Sequence, residues 1–188
     1  MKQQISNHSW KVIKMGWIIM IDMDEWLCIT EEDLRKEREN GTTILSTQGM
    51  EMFAESNSLT LDDIDLFSVR QGHLFDSESK CICFYRPHIQ EMNYVFGCHE
   101  CNPIGKIKFS KMTYVIQHMS VLGLPFIKNK MLSRYERSKK QIIEKQGSTH
   151  YLNNEIAIEK LYKSKKFSSF PLDNLDKKYY FIKNAFYN

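Results

Sequence analysis

The stretch "WIIMIDMDEWL", Trp17–Leu27, sets a mostly apolar run against three carboxylates, Asp22, Asp24 and Glu25, crowded into four positions. The apolar run reads as a short buried strand over Trp17–Ile21. Side chains alternate along a strand, so Asp22 and Asp24 share one side while Met23 faces the other. Two hard oxygen ligands at the open end of a buried strand form a seat for Mg²⁺ or Mn²⁺ that a diphosphate completes. Ligands of open α/β sheets bind beyond the carboxyl ends of strands, where this cluster lies. The same acids also read as a solvated turn or a helix cap. The apolar strand before them and Trp26 after them favour a site.

Outward from this stretch, strands and helices alternate. "TEEDLRKERENG" predicts a helix, with Thr30 as N-cap, acids in the first turn and Gly41 at the end. Thr42–Phe53 predicts a strand, β-branched at its start and kinked near Gly49. "AESNSLTLDDIDLF" is polar and acidic, a loop with a short helical turn. Lys80–Arg86, Met92–Cys101 and Lys111–Met119 predict three further strands, the last with His118 near its end. After Pro125 the pattern turns helical until Gly147, and a second helix is expected over 154–163. The last twenty residues, aromatic and lysine-rich, fit no pattern. No internal repeat or low-complexity segment is present.

A chain of 188 residues is long enough for one sizeable core, and chains of this size bury roughly 70% of their unfolded surface. Its composition, 42% hydrophobic, 26% charged and 12% aromatic, is that of a globular protein. A net charge of +3 and a pI near 8.5 are only mildly basic, so no nucleic-acid partner is expected, although the chain from Lys160 onward is rich in lysine. No apolar run is long enough to span a bilayer. The opening "MKQQISNHSW" lacks the apolar core of a signal peptide. The five cysteines, an odd number, fit a reducing compartment, and the expected location is cytoplasmic.

The series of motifs resembles the glycosyltransferases of GT-A fold related to glycosyltransferase family 2. "WIIMIDMDEWL" looks like their Asp-x-Asp region, an apolar strand, Asp-x-Asp-Glu, an aromatic residue and a leucine. "SNHSWK" before it, "TTILSTQGMEMF" after it and "SKCICFYRPHIQEMNYVFGCHECNPIG" follow the family's order. So do "YVIQHMSVLG", "RYERSK" and "GSTHYL". The resemblance covers about residues 6–165. It implies an α/β domain over 1–165, a partial or minimal GT-A-like mixed sheet with C-terminal helices, followed by an aromatic and lysine-rich tail over 166–188. The family places a βαβ half, which grips the nucleotide, before the Asp-x-Asp strand. Only sixteen residues precede Trp17 here, so that half is expected to be missing or supplied as a separate chain, with little activity from this chain alone and a homo-oligomer as an alternative partner.

The resemblance further implies a metal-dependent transfer of sugar from a nucleoside-diphosphate sugar to an acceptor hydroxyl, the acceptor being a glycan, lipid or protein. Asp22, Asp24 and His118 would hold Mn²⁺ or Mg²⁺. Asn7, Lys11, Lys80, His99, Arg134 and His150 would contact the donor or acceptor. Glu100, or else Asp76, would serve as general base. Each residue also has a plainer reading: His118 as a packed strand-end histidine, Glu100 as a loop carboxylate, the cations as surface residues.

Two other classes compete. Phosphatases of the haloacid dehalogenase type share the Asp-x-Asp after an apolar strand, but Trp26 stands where they carry Thr or Val. A zinc-stabilised binding module is suggested by Cys81, Cys83, Cys98 and Cys101. Their apolar strand context, without turn glycines, favours buried free thiols instead. A catalytically inactive sugar-binding remnant is the third alternative.

Overall fold

The computed structural model describes residues 2–95, 99–143 and 154–180. The fold is mixed α/β, a multi-stranded sheet with several helices. Two compact units divide the chain: Met1–Met50, Leu74–His118 and Leu175–Asn188 form the first, and Glu51–His73 and Met119–Asn174 the second.

The first unit opens with helix α1 (Lys2–His8) and a 3₁₀ turn carrying Trp10. Strand β1 (Trp17–Ile19) runs antiparallel to β5 (Cys83–Tyr85). β5 in turn pairs antiparallel with β3 (Ile44–Phe53) at Ile44 and Phe84. Strand β2 (Glu25–Leu27) pairs antiparallel with β8 (Phe109–Val121), and β10 (Tyr179–Tyr180) joins β8 in parallel. Helix α2 (Glu31–Glu39) starts where the sequence places it. Thr30 accepts from the Asp33 N–H at 3.1 Å while the Asp33 carboxylate accepts from the Thr30 N–H, a capping box. Gly41, with φ of 75°, ends it in the left-handed conformation that suits glycine.

Among the described residues, two apolar clusters hold this unit. Ile18, Ile44 and Phe84 pack with Trp10, whose ring meets Phe84 edge-on at 5.0 Å. Leu45, Cys83 and Tyr114 pack with Trp17 and with Leu34 of α2. The Tyr114 hydroxyl donates to buried Glu37 at 2.7 Å, and burial, then this carboxylate, pushes the phenol's pKa up.

The expected strand over Met92–Cys101 is not formed in its described part. Residues 92–95 are irregular, and Asn93 takes a left-handed φ of 49°, which breaks an extended run. The ladder here is instead a short antiparallel pair, β6 (Ile89–Glu91) with β7 (Ile104–Gly105).

The second unit packs helix α3 (Leu124–Ile143) and helix α4 (Glu155–Ser168) around Phe53, Val121, Ile127 and Ile158. Asn154 caps α4 through its side-chain oxygen. Gly123 precedes α3 at φ of 129°, and a Cβ there would lie 2.2 Å from the Ser56 carbonyl oxygen. In the same unit, β4 (Gln71–Leu74) pairs antiparallel with β9 (Phe170–Pro171). Among the described residues, no helix is long and apolar enough to cross a membrane.

Three side chains meet within the second unit: Glu51, His73 of β4 and Lys165 of α4. Lys165 bonds the Glu51 carboxylate and lies 3.0 Å from His73 Nε2, which is 3.4 Å from Glu51. Burial, and then the Lys165 charge, hold the His73 pKa below its usual value. The unfolded chain therefore binds a proton that the folded chain resists. Stability is full above the unfolded pKa of about 6.5 and falls as pH drops through that value. Thermal melts at pH 7.5 and 5.5 are expected to show a smaller loss for His73→Gln than for the parent, and equal losses would contradict this.

Candidate functional site

The register of β1 against β5 builds the site. Ile18 lies opposite Phe84, and the Met20 N–H donates to the Ile82 carbonyl at 2.8 Å. Two residues further along each chain, the same register sets Asp22 beside Lys80. Lys80 Nζ lies 3.3 Å from Asp22 Oδ2 and bonds the Glu25 carboxylate directly. Both members of that pair are buried, Lys80 at 6% and Glu25 at 1% exposure, while Asp22 is 39% exposed. A tight turn returns the chain from Asp22 to Glu25. The Glu25 N–H donates to the Asp22 carbonyl and the Asp22 N–H donates to the Glu25 carboxylate, each at 3.1 Å. Glu25 thus receives both an ammonium and an amide, the satisfaction that a buried charge requires.

The same turn brings Asp24 to β8. Glu25 lies opposite His118 in the β2–β8 register. Asp24 Oδ2 is 3.4 Å from His118 Nε2, across 94 residues of chain, with both side chains largely buried. Beside β1, a cavity of about 310 Å³ is lined by Ile19, Asp22, Glu25, Lys80, Ile82 and Tyr94, among others.

The remaining predicted residues fall in several places. Asn7 brackets the main chain of Tyr94: its Oδ1 accepts from Tyr94 N–H at 2.8 Å and its Nδ2 donates to Tyr94 C=O at 3.0 Å. Lys11 is bridged to Glu91 at 2.6 Å. Asp76, exposed, accepts from the Gln48 amide at 3.0 Å. His99 and Glu100 are exposed in irregular chain. Arg134 lies on α3 in the second unit. His150 and Cys98 lie outside the described residues. Cys81 and Cys101 share a hydrogen bond that lowers the Cys81 thiol pKa and raises that of Cys101, whereas Cys83 is buried in the Leu45 and Tyr114 cluster. The described cysteines are free thiols, and among the described residues none belongs to a group that could hold a metal ion.

Among the described residues, no group of three His, Cys, Asp or Glu side chains could hold a metal ion. Asp24 and His118 offer two ligands, and Asp22 turns to Lys80.

Glu25 and Tyr94 are the site members that sequence reasoning leaves without a role. A carboxylate set between Asp24 and Trp26 on an inward-facing strand needs a buried cation, and Lys80 before the apolar "CICFY" supplies it. Comparison with family models, with curated proteins and with solved structures finds no match to this chain.

Proposed function

We propose that this chain is a glycosyltransferase of GT-A type, moving a sugar from a nucleoside-diphosphate sugar to an acceptor hydroxyl with Mn²⁺ or Mg²⁺ as cofactor. One observation carries the reading: Asp24 and His118, distant in sequence and matched to the family's metal ligands by resemblance alone, face each other at 3.4 Å. Lys80, paired with Asp22 and Glu25, lines with them a cavity of about 310 Å³ beside β1, large enough for a small ligand.

In this reading Asp24 and His118 would hold the ion, which supplies positive charge against the departing diphosphate. Asp22 and Lys80 form the wall that orients phosphate oxygens, with Lys80 contributing charge and Asp22 setting its direction. The acceptor hydroxyl attacks the anomeric carbon as the bond to the diphosphate oxygen breaks, and a carboxylate takes the hydroxyl proton. Glu100 and Asp76, both exposed, are the residues assigned to that proton.

Calorimetry with uridine and guanosine diphosphates, with and without Mn²⁺, tests the proposal. Binding that needs Mn²⁺ supports it, and Mn²⁺-independent or absent binding contradicts it. Turnover with the matching nucleotide sugar separates an active enzyme from a sugar-binding remnant. His118→Ala is expected to weaken Mn²⁺-dependent binding less than loss of both aspartates does, because it removes one neutral ligand and leaves the charges. An effect equal to or larger than theirs would contradict that ranking.

A further inference from the structure

Cys81 and Cys101 are free thiols, both partly buried. They pack against one apolar cluster, that of Trp10, Phe84 and Tyr94, and share a hydrogen bond. Two pieces of backbone bring them together. The Ile82 N–H donates to the Lys80 carbonyl at 2.9 Å, a three-residue turn centred on Cys81. This turn breaks the strand alternation just before β5. Cys81 therefore meets the Trp10 cluster, while Cys83, two residues on, is buried with Leu45 and Tyr114. On the other side, the Val95 N–H donates to the Glu100 carbonyl at 3.1 Å, and the Asn102 N–H to the Met92 carbonyl at 3.0 Å. Between these two bonds Cys101 stands across from Tyr94. The Tyr94 hydroxyl in turn donates to the Cys81 carbonyl, and Asn7 fixes the Tyr94 main chain.

The shared hydrogen bond divides the labour of the pair. It favours the thiolate at Cys81, whose pKa it holds below the usual thiol value, and with burial it pushes the Cys101 pKa up. Cys83, in contrast, is raised by burial alone. We propose that Cys81 and Cys101 are an oxidation site, a dithiol that a hydroperoxide closes to a disulfide. The Cys81 thiolate attacks one oxygen of hydrogen peroxide and breaks the O–O bond, which leaves a sulfenic acid. The departing hydroxide takes a proton from solvent and becomes water. The Cys101 sulfur then attacks the sulfenic sulfur. The S–S bond forms, and the sulfenic hydroxyl leaves with the Cys101 proton as a second water. The two thiols give up two electrons and the peroxide gains them. The inference stands apart from the proposed catalytic function.

Hydrogen peroxide added to the dilute, reduced full chain tests it, read by thiol titration in denaturant and by mass spectrometry of chymotryptic fragments. The parent is expected to lose two of its five thiols, with the Cys81 fragment joined to the Cys101 fragment, and to regain both with dithiothreitol. Cys98→Ser is expected to behave as the parent, which sets the neighbouring thiol aside. Cys81→Ser and Cys101→Ser are each expected to form no internal disulfide. In Cys101→Ser the sulfenic acid is expected to remain on Cys81, where dimedone captures it. Alanine at either position replaces a serine variant that fails to fold. A parent that keeps its five thiols, or joins them only between chains, overturns the inference. So do a Cys98→Ser chain that forms no internal disulfide, a Cys81 or Cys101 variant that still forms one, and a Cys101→Ser chain without dimedone on Cys81.

Discussion

Replacing Asp22 and Asp24 together by asparagine is expected to abolish Mn²⁺-dependent binding of a nucleoside diphosphate while leaving the fold intact. Both changes keep side-chain volume, and both aspartates stand in the turn after β1, outside the two apolar clusters. What they remove is charge where an ion and a diphosphate would meet. Loss of an outer partner of a metal ligand lowers affinity roughly 10–100-fold, so loss of a direct carboxylate ligand is expected to exceed roughly 100-fold. The geometry divides the effect unequally. Asp24 faces His118, whereas Asp22 faces Lys80, so Asp24→Asn alone is expected to account for most of the loss. Calorimetric titration of each variant with Mn²⁺ and nucleoside diphosphate measures this. A double variant that binds as tightly as the parent would show that the turn is not the site.

Breaking the buried pair beneath the turn is expected to have the largest effect on stability. Lys80→Met leaves the Glu25 carboxylate, 1% exposed, without its ammonium. An uncompensated buried charge of this kind costs about 3–5 kcal/mol. For a chain of this size that is a fall in Tm of roughly 10 °C. Replacing both partners, Glu25→Leu with Lys80→Met, removes the stranded charge along with the pair and is expected to recover much of the loss. Thermal melts of the two single variants and the double variant decide it. If Lys80→Met melts within about 2 °C of the parent, Glu25 has water or another cation and the pair is not what orders the turn.

What was legible in the sequence was mostly local. Thr30 and Asp33 mark the start of α2, and Asn154 marks that of α4, because a cap is written in residues three or four apart. Pro125 falls at the second position of α3, where a missing N–H does no harm. The apolar core of Trp17–Ile21 became β1, shortened to Trp17–Ile19. Illegible were the features that depend on which strand meets which. The Asp22–Lys80 contact follows from the β1–β5 register, and no spacing along the chain encodes it. The polar helix α1 has no strong apolar stripe of its own. Its place follows from Asn7 clamping the main chain of Tyr94, a residue 87 positions away. The Met92–Cys101 segment has the alternation of a strand, and the left-handed Asn93 overrides it. Of the candidate site, the aspartate pair is read from the apolar strand that precedes it and His118 only through resemblance, while the buried Lys80–Glu25 pair required the fold.

The central claim is that Asp24 and His118 hold one divalent ion in the presence of a nucleoside diphosphate. The most direct measurement is a crystal structure of the chain grown with Mn²⁺ and nucleoside diphosphate, with the ion located by its anomalous scattering. The account predicts one manganese peak bonded to both Asp24 and His118, with diphosphate oxygens on its remaining sides. A bound diphosphate whose manganese lies away from this pair, or with no manganese at all, would contradict it.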